Sequence, residues 1–134
     1  MNNYIKLFGI AAICFLSLDF IWLLLLAKKI YQEYLGGFLG QTKLFPAALF
    51  YVLYLCGLLF FVVYPALEKN SLMYALLAGA FLGLLCYGTY DLTNLATITG
   101  WPYLVTSIDL LWGAFVTSAT CGITYVVAQY FNWR

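Results

Sequence analysis

Asp19, Asp91 and Asp109 lie in or at the edges of segments that otherwise read as lipid-embedded helices. A charged carboxylate near the bilayer centre costs about 2.5–3.5 kcal/mol on insertion scales, so such groups face a protein interior or a polar path. Their surroundings are polar in kind. Ser17-Leu18-Asp19-Phe20-Ile21-Trp22 and Ser107-Ile108-Asp109-Leu110-Leu111-Trp112 share the pattern Ser-x-Asp-x-x-Trp, and between them Tyr87, Tyr90, Thr93 and Asn94 flank Asp91. Asp and Trp three residues apart occupy one face of a helix. Three chemistries suit this set. Two carboxyls that approach within a few ångströms in a low dielectric cannot both ionise cheaply, which suits proton-coupled binding. With Asn94 they also offer the hard oxygens that divalent cations accept. Alternatively, buried carboxyls hydrogen-bond Trp22, Trp112, Tyr87 or Tyr90 and lock the helices together. The residues alone leave all three open.

The elements that position these groups follow from composition. Of 134 residues, 66% are hydrophobic and 8% charged, too apolar for a soluble domain of this length. Net charge is +1, which supplies no basic field for nucleic acid. A bilayer span needs about 20 apolar residues, and four windows qualify, about 5–27, 45–67, 72–92 and 103–131. The first run is too long for a signal-peptide core and lacks a small-residue cleavage pattern, so it reads as a retained span. Pro46 falls in the first turn of the second span and Pro65 near its exit. Glu68-Lys69-Asn70-Ser71 reads as a tight turn, and Thr99-Gly100-Trp101-Pro102 as another, with Trp101 suited to the interface. The expected fold is an all-α integral membrane protein, one compact bundle of four transmembrane helices. In the longest loop, Ile30, Tyr31, Tyr34, Leu35, Phe38 and Leu39 recur at helical spacing, which suggests a short interfacial helix; Gly36, Gly37 and Gly40 favour a plain loop instead.

This topology sorts the charges. Lys6, Lys69 and Arg134 fall on the side of the N-terminus, side A, and Lys28, Lys29 and Lys43 on the opposite side B, so the positive-inside rule sets no orientation. It also sorts the aspartates. The first span runs towards B, the third ends there and the fourth starts there, so all three carboxylates share one leaflet. Small residues mark close helix contacts: Ala75, Gly79 and Gly83 form one ladder, and Gly113, Thr117 and Cys121, beside Ala114, Ser118 and Gly122, form two more.

The run Tyr90-Asp91-Leu92-Thr93-Asn94-Leu95-Ala96-Thr97, then Gly100-Trp101-Pro102 and Asp109-x-x-Trp112-Gly113, with Asp19-x-x-Trp22-Leu23, resembles a family of small bacterial four-span membrane proteins. That family is catalogued as a predicted membrane domain of unknown function. The resemblance implies a multi-pass protein of the bacterial inner (plasma) membrane and brings no activity.

Other chemistry is poorly provided for. No histidine is present, and no phosphate loop or nucleophile elbow occurs. Cys14, Cys56, Cys86 and Cys121 fall one per span within apolar sequence and read as small packing residues. No cofactor or metal is assigned. The reading taken forward is a pocket that binds or transports a small cationic or amphipathic solute, with Asp19 and Asp109 as proton or cation acceptors. Asp91, Asn94 and Thr93 would form its mouth, Trp22 and Trp112 would flank the ligand, and Tyr87 and Tyr90 would line it. Four helices make a narrow path, so transport would call for a homodimer. The alternatives are a membrane enzyme or accessory protein acting on a lipid or isoprenoid, and a structural subunit; the enzyme is the less favoured. The lipid bilayer is the one partner expected throughout.

Overall fold

The computed structural model describes residues 2–22, 24 and 44–133. The stretch read as an interfacial helix, 30–39, and the lysines at 28, 29 and 43 lie outside the described residues. Among the described residues four helices are long and apolar enough to cross a membrane: Asn3–Trp22, Phe45–Lys69, Leu72–Thr97 and Tyr103–Tyr130. In detail, α1 is Asn2–Trp22. The second span comprises α2 (Leu44–Leu58), a π-helical turn (Leu59–Val63) and α3 (Tyr64–Lys69). The third is α4 (Leu72–Thr97) and the fourth α5 (Tyr103–Tyr130). The protein is thus an all-α, four-span bundle.

α5 is the axis of the bundle. Its buried face includes Val105, Asp109, Gly113, Val116, Thr120, Thr124 and Ala128, in steps of four residues with one step of three, the spacing of a helix packed along its whole length. Its main neighbour is α4, followed by α1. The α4–α5 seam is made by the small residues. A Cβ added to Gly83 would collide with the Gly113 carbonyl and come within 2.8 Å of Thr117 Oγ1; one on Gly79 would lie 3.0 Å from Ser118 Cα. Ser118 Oγ then donates across the seam to the Leu76 carbonyl at 2.9 Å. Gly79 and Gly83 therefore act within one chain.

The second span departs from a plain α-helix. Its buried residues recur every four positions: Tyr54 and Leu55, Leu58 and Leu59, Val62 and Val63, Ala66 and Leu67. At 3.6 residues per turn such a repeat would drift by about 40° at each step. The π-helical turn takes up the drift, with Tyr64 N–H donating to the Leu59 carbonyl five residues back. Its cause is Pro65. The proline has no N–H for the Phe61 carbonyl, and its ring crowds that carbonyl. The Tyr74 hydroxyl donates to the Phe61 oxygen instead, at 3.4 Å. Pro65 is thus not a harmless exit residue; it widens the helix in mid-course.

The turns are set by local chemistry. Asn70 adopts the left-handed conformation (φ 52°), and Ser71 N–H reaches back to the Ala66 carbonyl at 3.0 Å, closing a Schellman motif. Ser71 then caps α4, its Oγ accepting from Tyr74 N–H at 3.0 Å. α5 ends in the same way, with Asn132 at φ 57° and Trp133 N–H bonded to the Ala128 carbonyl at 2.8 Å. Between α4 and α5, Gly100 takes φ 84°, which a side chain would strain, and Trp101 N–H returns to the Ile98 carbonyl at 3.2 Å. Trp101 consequently turns inward instead of serving as an interfacial anchor. It is 6% exposed, packs with Val105, Leu95 and Ile98, and its indole N–H donates to Thr106 Oγ1 at 3.1 Å.

Candidate functional site

Helix ends set the depth of the carboxyls. α4 continues to Thr97, past the bound near residue 92 read from hydropathy, because Thr93 and Thr97 do not break it: Thr97 Oγ1 folds back onto the Thr93 carbonyl at 2.8 Å. Asp91 therefore lies six residues inside the end of α4, and Asp109 six residues inside the start of α5. At 1.5 Å per residue both sit about 9 Å below the same face of the bundle.

At that level Asp91 and Asp109 meet carboxyl to carboxyl. Asp91 is completely buried and Asp109 6% exposed. Beyond Asp109, neither oxygen of Asp91 has a hydrogen-bond partner among the described residues. Asp91 is thus in the core of the site and does not form its mouth. Two bare negative charges this close would repel one another at low dielectric.

Asp19 extends the buried stripe of α1 at intervals of four, after Leu7, Ala11 and Phe15. Its Oδ2 accepts from the Tyr51 hydroxyl at 3.3 Å. The indole N–H of Trp112 faces the same carboxyl without closing a full hydrogen bond. Asp19 also lies within electrostatic reach of Asp109. Among the described residues no three His, Cys, Asp or Glu side chains converge closely enough to hold a metal ion. The carboxyls form a pair and a neighbour, not a closed triad.

The aromatic residues complete the arrangement. Trp22 and Trp112 stack face to face, with centroids 4.5 Å apart and an interplanar angle of 8°. The Tyr87 ring lies over Gly113, so close that a Cβ there would stand 2.5 Å from Tyr87 Cδ1. This seats Tyr87 among Asp19, Asp109, Tyr51 and Tyr54. Tyr54, 5% exposed, shares a hydrogen bond with Thr117 Oγ1. Phe15 packs against both Tyr51 and Tyr54, at 5.7 and 4.8 Å between centroids, and fixes their rings.

The sequence-derived residues therefore separate. Asp19, Asp91, Asp109, Trp22, Trp112 and Tyr87 come together. Tyr90 and Asn94 face one another at the edge, where the half-exposed Tyr90 ring sits edge-on to Trp101 at 5.8 Å. Thr93 is exposed on the outer face of α4. Sequence reasoning missed Tyr51, Tyr54 and Thr117. Their hydroxyls gave little signal, since Tyr54 and Thr117 themselves occupy buried packing positions of their helices.

A family model described as "predicted membrane protein (DUF2177)" matches residues 4–126. No curated protein and no solved structure matches the chain.

Proposed function

The chain belongs to the DUF2177 family of predicted membrane proteins, and from that premise we propose that its carboxyl cluster binds a small cationic or amphipathic solute in exchange for a proton. The observation that carries this reading is the buried contact of Asp91 with Asp109. A shared proton keeps the pair stable when empty, and an incoming cation makes that proton unnecessary. One positive charge enters and one leaves, so the exchange adds no net charge to the site in lipid. Asp19, held by Tyr51, supplies the second acceptor. The stacked Trp22 and Trp112 offer ring faces that attract cations by their quadrupoles. A bacterial inner membrane is the setting that the resemblance implies. Movement across the bilayer would use two copies, because four helices enclose little space.

The test is proton release. Guanidinium and tetramethylammonium, added to detergent-solubilised protein in weak buffer, should displace protons from the wild type and not from Asp109→Asn or Asp19→Asn. Cation binding that survives unchanged in both variants would falsify the exchange.

A further inference from the structure

We propose that the buried hydroxyls of Thr117, Thr120 and Thr124 form a file, bridged by water, that carries protons between the carboxyl cluster and side A. These three side chains are each 0% exposed and stand three and four residues apart, on one face of α5. Among the described residues the hydroxyls of Thr120 and Thr124 have no hydrogen-bond partner. A threonine in a helix readily satisfies itself on the carbonyl four residues back, as Thr89 does on Leu85 at 2.6 Å and Thr97 on Thr93 at 2.8 Å. Two fully buried hydroxyls that forgo this bond are unusual in a bilayer, where no solvent compensates them.

Both ends of the file are polar. Towards side B, Thr117 bonds Tyr54, which neighbours Tyr87, and Tyr87 faces Asp19 and Asp109. Midway, the Cys14 thiol of α1 faces Thr120. Towards side A, the Tyr125 hydroxyl accepts from Gln129 Nε2 at 2.8 Å, and the same nitrogen reaches Asn70 Oδ1 in the polar turn at 3.2 Å. From Asp109 to Gln129 the helix rises about 30 Å, the thickness of the hydrocarbon core. Threonines at this spacing have Cβ atoms about 5–6 Å apart, too far for direct bonding and within the reach of one water. Each hop makes one O–H bond and breaks another, so nothing is consumed.

This deepens the exchange reading, on which it rests, by naming the face that supplies the proton. The test uses the full chain in liposomes carrying an internal pH dye, with a pH gradient imposed and guanidinium present on both sides. The wild type should dissipate the gradient faster than empty vesicles. Thr120→Val and Thr124→Val should lose that flux, singly and together, while Thr120→Ser, which keeps the hydroxyl, restores it. Loss of flux with equal or higher thermal stability supports the file, because valine removes an orphaned hydroxyl. Flux in either valine variant equal to the wild type overturns it. So does a wild type that releases protons to guanidinium in detergent yet carries none across vesicles, an outcome that leaves the exchange standing. Absence of proton release in detergent counts against the exchange itself.

Discussion

The indole of Trp22 lies flat against that of Trp112, although the two residues come from opposite ends of the chain. Each follows its own aspartate by three residues, in the two copies of Ser-x-Asp-x-x-Trp. The copies interlock: Trp112 stacks on Trp22 while its N–H faces Asp19. One pairing of α1 with α5 thus fixes both a ring stack and the orientation of a carboxyl.

The stack can be read directly. Trp22→Ala should lose about 0.5–1.5 kcal/mol beyond the burial contribution, together with the near-ultraviolet circular dichroism couplet of two coupled indoles. In a background with Trp101 and Trp133 replaced by Phe, guanidinium titration should weaken the couplet if the solute enters against the rings. A couplet that stays constant through saturation would argue for binding elsewhere.

The carboxyl pair should behave as a unit. Asp109→Leu leaves Asp91 buried without its partner, at a cost of about 1–3 kcal/mol. Replacing both by Leu should recover much of that loss, since removing a buried polar pair together is far cheaper than breaking it. Thermal unfolding of the single and double variants in detergent gives the coupling. Strict additivity would mean that the two do not interact.

The helix seam is equally specific. Gly83→Ala forces a methyl into the Gly113 backbone and should cost about 1–3 kcal/mol or more, seen as a lowered unfolding midpoint. Gly9 and Gly57 have open space around a Cβ, so alanine there should be neutral or slightly stabilising. Gly113→Ala strikes the Tyr87 ring, and it should impair cation binding more than its stability loss accounts for.

At the turn before α4, Ser71→Ala removes a cap worth about 1 kcal/mol. Asn70→Gly relieves the left-handed φ of 52° but gives up the Oδ1 acceptor of Gln129 Nε2, so it should change stability little, whereas Asn70→Val should destabilise. Unfolding midpoints of the three variants order the effects.

Much of this was legible in the sequence. Span count follows from length and apolarity, and the meeting of Asp19, Asp91 and Asp109 in one leaflet follows from alternating span directions. The ladders through Gly79, Gly83 and Gly113 were visible because glycine contrasts with leucine. What stayed hidden lacked contrast. Tyr51 and Tyr54 sit among Phe50, Leu53 and Leu55, where an aromatic that donates a hydrogen bond looks like one that only packs. Thr117 read as a small residue because only the fold brings Tyr54 to it. The depth of Asp91 was misjudged because Thr93, Asn94 and Thr97 resemble a helix exit, yet side chains that bond their own backbone let the helix run on.

The π-helical turn at Leu59–Val63 holds one residue more than an α turn would. Removing one of its five residues would therefore restore ordinary winding and leave the two halves of the span in nearly their present rotation, because the loss of about 100° is matched by the tighter turn. Tyr51 and Tyr54 would keep facing Asp19 and Thr117 while Ala66 and Leu67 stay in the core. A residue removed from the middle of α5, which has no surplus to give up, would instead turn one half of that helix about 100° against the other. The wide turn is thus a spare residue held within a span, and a one-codon deletion should be tolerated there and nowhere along α5.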